Sequence, residues 1–405
     1  QFSAFYEAAA AVSAEVISEV EFAWRESAAD SRWVAVTGTN GKTTACALAA
    51  HVLAGAGLAA AAVGNIGDPC IEAVAAGRTD VYVAEVSSYQ LASTARFAPN
   101  VAVLLNITPD HLHWHRSFEA YRDAKLKLLA NLPGVPGAVA VLDATNDVVR
   151  AEVRRLRALD AGERGFSYVP LGTAAGLTGD MRAACGSDNA AFLDADGTLR
   201  VALNGAEHAA ARVEELQIKG EHNASNALAV AAAALALGVH ESDVAEGLRT
   251  FAPLEHRIEP CGSVAGVRCY NDSKATNVDA TLKALAAFPE TRPVVLLGGD
   301  DKGTDLAPLV EAAHAHAGAV VCFGDAGERF AAAFEAADAQ APAGFAAARA
   351  AHLADAFDAA LALASAGDVV LLSPACASFD EFGSFEERGA AFKTLVADAA
   401  SALGA

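Results

Sequence analysis

The strongest chemical signal in this 405-residue sequence is GTNGKTT at residues 38–44, which follows the apolar run WVAV and opens an Ala-rich stretch. A glycine-rich turn between a strand and a helix can cradle phosphates. Backbone N–H groups of Gly38, Thr39, Asn40 and Gly41 and the helix N-terminus supply positive partial charge. Lys42 adds a full charge to phosphate oxygens, the Thr43 hydroxyl can reach a magnesium ion, and Thr44 completes the nucleotide-binding loop. The general pattern has a glycine five residues before Gly41, where this sequence has Val36, so the match is to a shorter variant.

Two carboxylates stand where such a loop would use them. Glu85 ends the apolar run VYVAE and Asp110 follows VAVLLNITP. Both are expected at the carboxyl edge of a parallel sheet, where open α/β folds bind ligands, and a carboxylate there suits magnesium. His111, His113 and His115 alternate in HLHWH, a spacing that in a strand would present three imidazoles on one face and suggest zinc. The stretch follows Pro109 and precedes a helical pattern, so His111 alone is retained as a candidate. Lys125, in YRDAKLKLL, reads from its neighbours as a solvated helix lysine.

The elements that must position these groups alternate regularly. Short β-branched runs at 33–37, 81–87 and 101–106 are separated by helical stretches, the pattern of a mostly parallel sheet with flanking helices. Around 160–220 the alternation breaks, and AAFLDADGTLRVAL, with Asp196 and Gly197 between two runs, predicts a β-hairpin at an insertion or sheet edge. A second alternation follows residue 257, with PVVLLGG, AVVCFGD and DVVLLSP each leading into a helix. The junction is expected at residues 250–257. The fold class is therefore α/β: a P-loop-type central domain with a mostly parallel sheet, and a C-terminal Rossmann-like α/β domain.

Composition narrows the field. At roughly 150 residues per domain the length supports two or three domains. A net charge of −21, from 29 basic and 50 acidic side chains, argues against a general nucleic-acid binder. The Ala-rich run at 227–239 is too short to span a bilayer, and no membrane insertion is expected. Seven dispersed cysteines, none spaced as CxxC, indicate neither a disulfide framework nor a zinc ribbon and suggest a reducing cytoplasm. The sequence begins at Gln1 and its one methionine is Met181, so residues upstream of Gln1 are expected.

Taken together, TGTNGKTT, GNIG (64–67), EVSSYQL (85–91), NITPDHL (106–112), GEHNASN (220–226), HRIE (256–259), NDSKATN (271–277), GGDDKG (298–303) and SPACASFDEF (373–382) resemble the Mur ligases of peptidoglycan synthesis. NDSKATN and SPACASFDEF resemble the branch that adds D-glutamate to UDP-N-acetylmuramoyl-L-alanine. The resemblance implies an ATP-dependent, ADP-forming amide ligase working through an acyl phosphate. It also implies three domains, of which this sequence matches two: 1–30 as residual linker from a missing UDP-binding domain, 31–254 as the ATP-binding domain, and 255–405 as the amino-acid-binding domain. A monomer in the cytoplasm is the family expectation.

The resemblance also assigns roles. Lys42 would stabilise charge on the γ-phosphoryl group. Thr43, Glu85, His111 and a carbamylated Lys125 would hold magnesium, with two sites expected. Asn65, Asn223, Asn226, Arg257, Asp272 and Lys274 match ATP contacts: amides for the purine side, Asp272 for the ribose, the cations for phosphates. Asn223 and Asn226 could instead cap a helix, and Asp272 could hold a turn. Thr276, Lys302, Ser378 and Phe385 match the D-glutamate pocket, whose two carboxylates need a concentration of donors.

Departures from the family pattern are His113 and Trp114 in place of Asp and Arg, Glu255 in place of the proline before HR, and Gly383 with Ser384 in place of a more polar pair. Another Mur or folylpolyglutamate-type ligase is the nearest alternative function, and a non-catalytic ATP-binding regulator is the alternative from another class.

Overall fold

The computed structural model describes residues 4–174, 176–301, 303–340 and 345–404. The chain divides into two compact units, Gln1–Gln217 with Glu221–Phe251 and Ile218–Gly220 with Ala252–Ala405.

Among the described residues, the first unit holds one nine-stranded sheet: β1 (Arg32–Thr37), β2 (Ala60–Gly64), β3 (Val81–Glu85), β4 (Val101–Leu104), β5 (Val139–Asp143), β6 (Ser167–Gly172), β7 (Ala190–Leu193), β8 (Thr198–Leu203) and β9 (Ala206–Arg212). Their spatial order is β2-β3-β1-β4-β5-β6-β7-β8-β9. From β2 to β7 all pairings are parallel, while β7–β8 and β8–β9 are antiparallel. The central strands are covered on both faces, which is why their sequences are continuous apolar runs rather than alternating ones. The predicted hairpin is present as β7–β8, one strand in from the edge strand β9, with Gly197 at φ 81° and the Asp196 carboxylate accepting from Thr198 N at 2.9 Å.

Two helices matter most for the loop at 38–44. Lys42–Gly55 buries Leu48, Val52 and Leu53, and Glu221–Ala236 buries nearly its whole length, its alanines letting it lie close against β5–β8. At the N-terminal side, helix Glu19–Glu26 is capped by Ser18 and buries Val20, Glu21 and Ala23. The Glu21 carboxylate accepts from the backbone N–H of Arg96 at 2.9 Å, so this helix is built into the unit.

The second unit carries a six-stranded sheet: β10 (Glu259–Val264), β11 (Val267–Asn271), β12 (Val294–Gly298), β13 (Ala319–Phe323), β14 (Ala346–Arg349) and β15 (Val369–Ala375), ordered β10-β11-β15-β12-β13-β14. Among the described residues, only the β10–β11 pairing of these strands is antiparallel. Separate apolar clusters lie on its two faces, one built with Phe357 and Phe392, the other with Phe330 and Phe334, as a doubly wound sheet requires. Among the described residues, no helix is long and apolar enough to cross a membrane.

Candidate active site

In the first unit the loop leaves β1 at Thr37 and becomes helical at Lys42. Gly41 has φ 87°, and a Cβ there would lie 2.8 Å from Asn226 Oδ1, so both backbone hand and space demand glycine. The loop is fixed by Asn106: its Oδ1 accepts from Asn40 N at 2.9 Å, its Nδ2 donates to Asn40 O at 3.0 Å, and its carbonyl accepts from Thr39 N at 2.8 Å. Thr39 Oγ1 lies 2.8 Å from the Tyr121 hydroxyl and accepts from Thr108 N at 3.0 Å. Lys42 Nζ donates to Thr39 O at 3.0 Å, folding the ammonium over the loop.

Glu85 ends β3 in register with Val36 of β1, one strand from the loop. It is 2% exposed. Its Oε1 accepts from Asn65 Nδ2 at 2.9 Å, whereas its buried Oε2 has no hydrogen-bond partner among the described residues. A buried carboxylate oxygen without a partner is costly, and a cation bound there would satisfy it.

Lys125, on helix Phe118–Leu126, is also 2% exposed. Its Nζ donates to Gly38 O at 2.7 Å and lies 4.9 Å from the centre of the Tyr121 ring. Burial, and then the nearby Lys42 charge, holds its pKa well below the ordinary lysine value, while Asp110 and Glu85 pull the other way. His111 belongs to the same electrostatic neighbourhood. Its pKa is lowered first by burial and further by Lys125, Lys42 and His113, with Asp110 opposing. The structure thus brings Lys42, Glu85, Asp110, His111 and Lys125 together at the carboxyl edge of the sheet.

The three alternating histidines do not form a ligand row. Leu112–His115 is a helical turn entered through His111 at φ 52°, and His115 turns inward to Ser88 Oγ at 2.9 Å. Asn223 and Asn226 lie inside helix Glu221–Ala236 rather than capping it, and Asn226 Nδ2 donates to Asn223 Oδ1 at 3.1 Å.

In the second unit, Arg257 sits between two left-handed residues, His256 (φ 62°) and Ile258 (φ 46°). Asp272 follows β11. Its carboxylate accepts from Ile258 N at 3.2 Å and Ser373 Oγ at 2.8 Å, so it does hold the turn. Lys274 Nζ lies 4.0 Å from the centre of the Phe385 ring, bringing an expected phosphate contact and an expected pocket wall into stacking distance. Thr276 N donates to Lys274 O at 2.7 Å. Ser378 is buried, and its carbonyl accepts from Phe382 N at 2.8 Å. Lys302 lies outside the described residues. In GGDDKG, Gly298 has φ 146°, and a Cβ there would stand 1.9 Å from Phe323 O, so no other residue fits.

Burial pushes the Asp272 carboxyl up to about 7, against the pull of Ser373, the Ile258 N–H and Arg257. An unfolded aspartate titrates near pH ~3.9. The stabilisation associated with this group is complete below that value and is lost as pH rises through the folded value. Asp272→Asn is therefore expected to flatten the decline in stability between about pH 4 and 7. Urea unfolding of the nucleotide-free protein across that range checks this; an unchanged slope would mean Asp272 is ionised throughout.

The sequence reading missed three residues that hold the site: Asn106, Tyr121 and Arg388. Arg388 is 0% exposed. It donates to the carbonyls of Ser273 (2.9 Å), Cys376 (3.1 Å) and Ala377 (2.9 Å) and to Ser273 Oγ (3.0 Å). Asn106 carried a usable signal, a polar amide directly after an apolar strand; Tyr121 and Arg388 carried none.

A phosphate loop at the end of a parallel strand, with a buried carboxylate and a desolvated lysine beside it, defines a nucleotide-using enzyme of the P-loop type. Residues 36–234 match the Mur ligase middle domain and residues 256–376 match the Mur ligase, glutamate ligase domain. A UDP-N-acetylmuramoylalanine–D-glutamate ligase of Alkaliphilus metalliredigens is 38% identical over 384 residues, 94% of this chain and 78% of the relative. One of Pelotomaculum thermopropionicum is 40% identical over 374 residues, 90% of this chain and 74% of the relative. The chain belongs to the Mur ligase family. In fold it is similar to MurF of Acinetobacter baumannii, with TM-score 0.65 at 20% identity over 95% of this chain and 80% of that one. It is likewise similar to the folylpolyglutamate synthase of Mycobacterium tuberculosis complexed with ADP, with TM-score 0.64 at 16% identity over 93% of both.

Proposed function

We propose that this chain is an ATP-dependent, ADP-forming ligase that joins D-glutamate to UDP-N-acetylmuramoyl-L-alanine in cytoplasmic peptidoglycan precursor synthesis, acting as a monomer. The observation that carries the reading is the cluster of Lys42, partnerless Glu85 Oε2 and desolvated Lys125 around a phosphate loop, in a chain 36–40% identical to relatives named for that reaction.

The γ-phosphoryl group of ATP passes to the L-alanine carboxylate, giving acyl phosphate and ADP. The D-glutamate amine then attacks the carbonyl carbon, loses a proton, and expels phosphate as the amide forms. Lys42 and the N–H groups at the start of helix Lys42–Gly55 stabilise the charge spread over the transferring phosphoryl oxygens, the Thr39 and Asn40 N–H groups being held by Asn106 instead. The residues fit magnesium: Glu85 offers a buried oxygen lacking a partner, Thr43 a hydroxyl and His111 an imidazole. These residues would hold magnesium, in the two sites expected, and the bound ion would supply charge neutralisation at the phosphates.

Lys125 completes that set as a carbamate. Its burial favours the neutral amine, whose nitrogen adds to CO2 and releases a proton, converting a repelled cation into an oxygen-bearing anion. The remaining N–H can still donate to Gly38 O. For the nucleotide we assign Asn65, Asn223, Asn226, Arg257, Asp272 and Lys274; for D-glutamate, Thr276, Lys302, Ser378 and Phe385.

The test is phosphate release from MgATP and UDP-N-acetylmuramoyl-L-alanine with a panel of acceptors. D-glutamate is expected to support release, and L-glutamate, L-alanine and meso-diaminopimelate are not. Release driven by another amino acid would move the chain to a different branch, and nucleotide binding with no release for any acceptor would make it a regulator.

A further inference from the structure

The turn that presents Arg257 is strained, and something outside it must hold it. His256 and Ile258 are both left-handed, a conformation in which Cβ crowds the chain and which is least tolerable for a β-branched residue such as Ile258. Such backbone persists where the surroundings over-determine it.

Helix Phe385–Gly404 supplies that hold from one face. Gly389 lies against the His256 ring so closely that a Cβ would stand 2.2 Å from Nδ1. One turn on, Lys393 places its Nζ 2.7 Å from Glu255 Oε1 and 2.9 Å from Glu259 Oε1, the two residues that bracket the turn. The other Glu259 oxygen, Oε2, accepts from His256 N at 3.0 Å and Asn271 Nδ2 at 3.2 Å. The lysine therefore closes a ring of bonds around His256 and Arg257.

Glu255, His256 and Glu259 also have their ligand atoms within 4.8 Å of one another, a spacing a metal ion would accept. Two observations favour the lysine. Its ammonium already lies between the carboxylates. His256 Nδ1 accepts from Asn271 Nδ2 at 2.9 Å, while Asn271 Oδ1 accepts from Ser273 N at 3.2 Å. The neutral ring then carries its proton on Nε2, 3.8 Å from Glu255 Oε1, and offers a metal no lone pair there.

We propose that Lys393 is a positioning residue for nucleotide binding: by bridging Glu255 and Glu259 it holds the His256–Ile258 backbone in the conformation that aims Arg257 at nucleotide phosphates. This rests on the nucleotide role assigned to Arg257 above.

Lys393→Met keeps the aliphatic stem and removes the charge. It is expected to weaken MgADP binding, titrated by calorimetry, about tenfold, the scale of off-site coupling. The KM for MgATP should rise in parallel, with kcat and the KM for D-glutamate little changed, and Lys393→Arg should restore affinity. MgADP affinity equal to wild type in Lys393→Met would overturn the proposal. A fall in melting temperature with all KM values shifting together would also overturn it, since that is the signature of lost helix packing. The wild-type chain separates this from the ligase reading. If it binds MgADP but releases no phosphate, the ligase reading fails while the titration still decides the role of Lys393.

Discussion

Lys125→Ala is expected to lose phosphate release by about 10³-fold or more, the equivalent of roughly 4 kcal/mol of barrier, and to recover part of it when bicarbonate, formate or acetate is added. The amine is buried against the phosphate loop, bonded to Gly38 O, and desolvation holds its pKa well below the ordinary lysine value. Burial there disfavours the cation, and the amine itself offers no anion for magnesium, so its value to the reaction lies in what can be added to it. Truncation to alanine leaves a cavity that a small anion can enter, standing where the carbamate oxygens would. Lys125→Met provides the contrast, because it fills the same space without an anion and should be inactive with or without added carboxylate. Undiminished turnover in Lys125→Ala would remove the carbamate assignment, and equal rescue of both variants would show that the added anion acts elsewhere.

Glu85→Gln is expected to separate stability from activity in opposite directions. The substitution preserves shape and the contact of Oε1 with Asn65, while replacing a buried carboxylate oxygen that lacks a partner among the described residues. Without metal, removal of this buried charge should raise stability by about 1 kcal/mol. With MgATP, activity should fall at least about 100-fold, since even loss of an outer partner of a metal ligand costs on the order of 10- to 100-fold, and the magnesium concentration for half-maximal rate should rise. Urea unfolding in chelator and a magnesium titration of phosphate release read the two effects separately. A variant that keeps both its activity and its magnesium dependence would show that Glu85 Oε2 faces no ion.

The sheets and the loop were legible in the sequence because their signals are local. An apolar run followed by GTNGKTT specifies strand, turn and helix within about a dozen residues, and the Asp196–Gly197 hairpin is set by its own turn chemistry. What was not legible depends on partners far apart in the chain. Asn40 and Asn106 are 66 positions apart, Thr39 and Tyr121 are 82, and Glu255 and Lys393 are 138. Lys125 shows the same limit. YRDAKLKLL has the look of a solvated helix face, and only the packing of that helix against the helical segments Ser88–Ala92 and Leu112–His115, with the bond to Gly38 O, turns this one lysine inward. The sequence marked Glu255 as unusual for its place, but the lysine that answers it lies in a helix with no visible relation to it.

Arg388 reads almost nothing but main chain: of its four bonds, three end on carbonyl oxygens and one on the Ser273 hydroxyl. A guanidinium used in this way is indifferent to which side chains the segments around Ser273 and Cys376 carry. Those segments can drift in composition without coming apart, provided their carbonyls keep facing the same point. Such a seam lets the wall of a pocket be rewritten by evolution, or by a designer seeking a different amino-acid acceptor, one side chain at a time with the scaffold left standing.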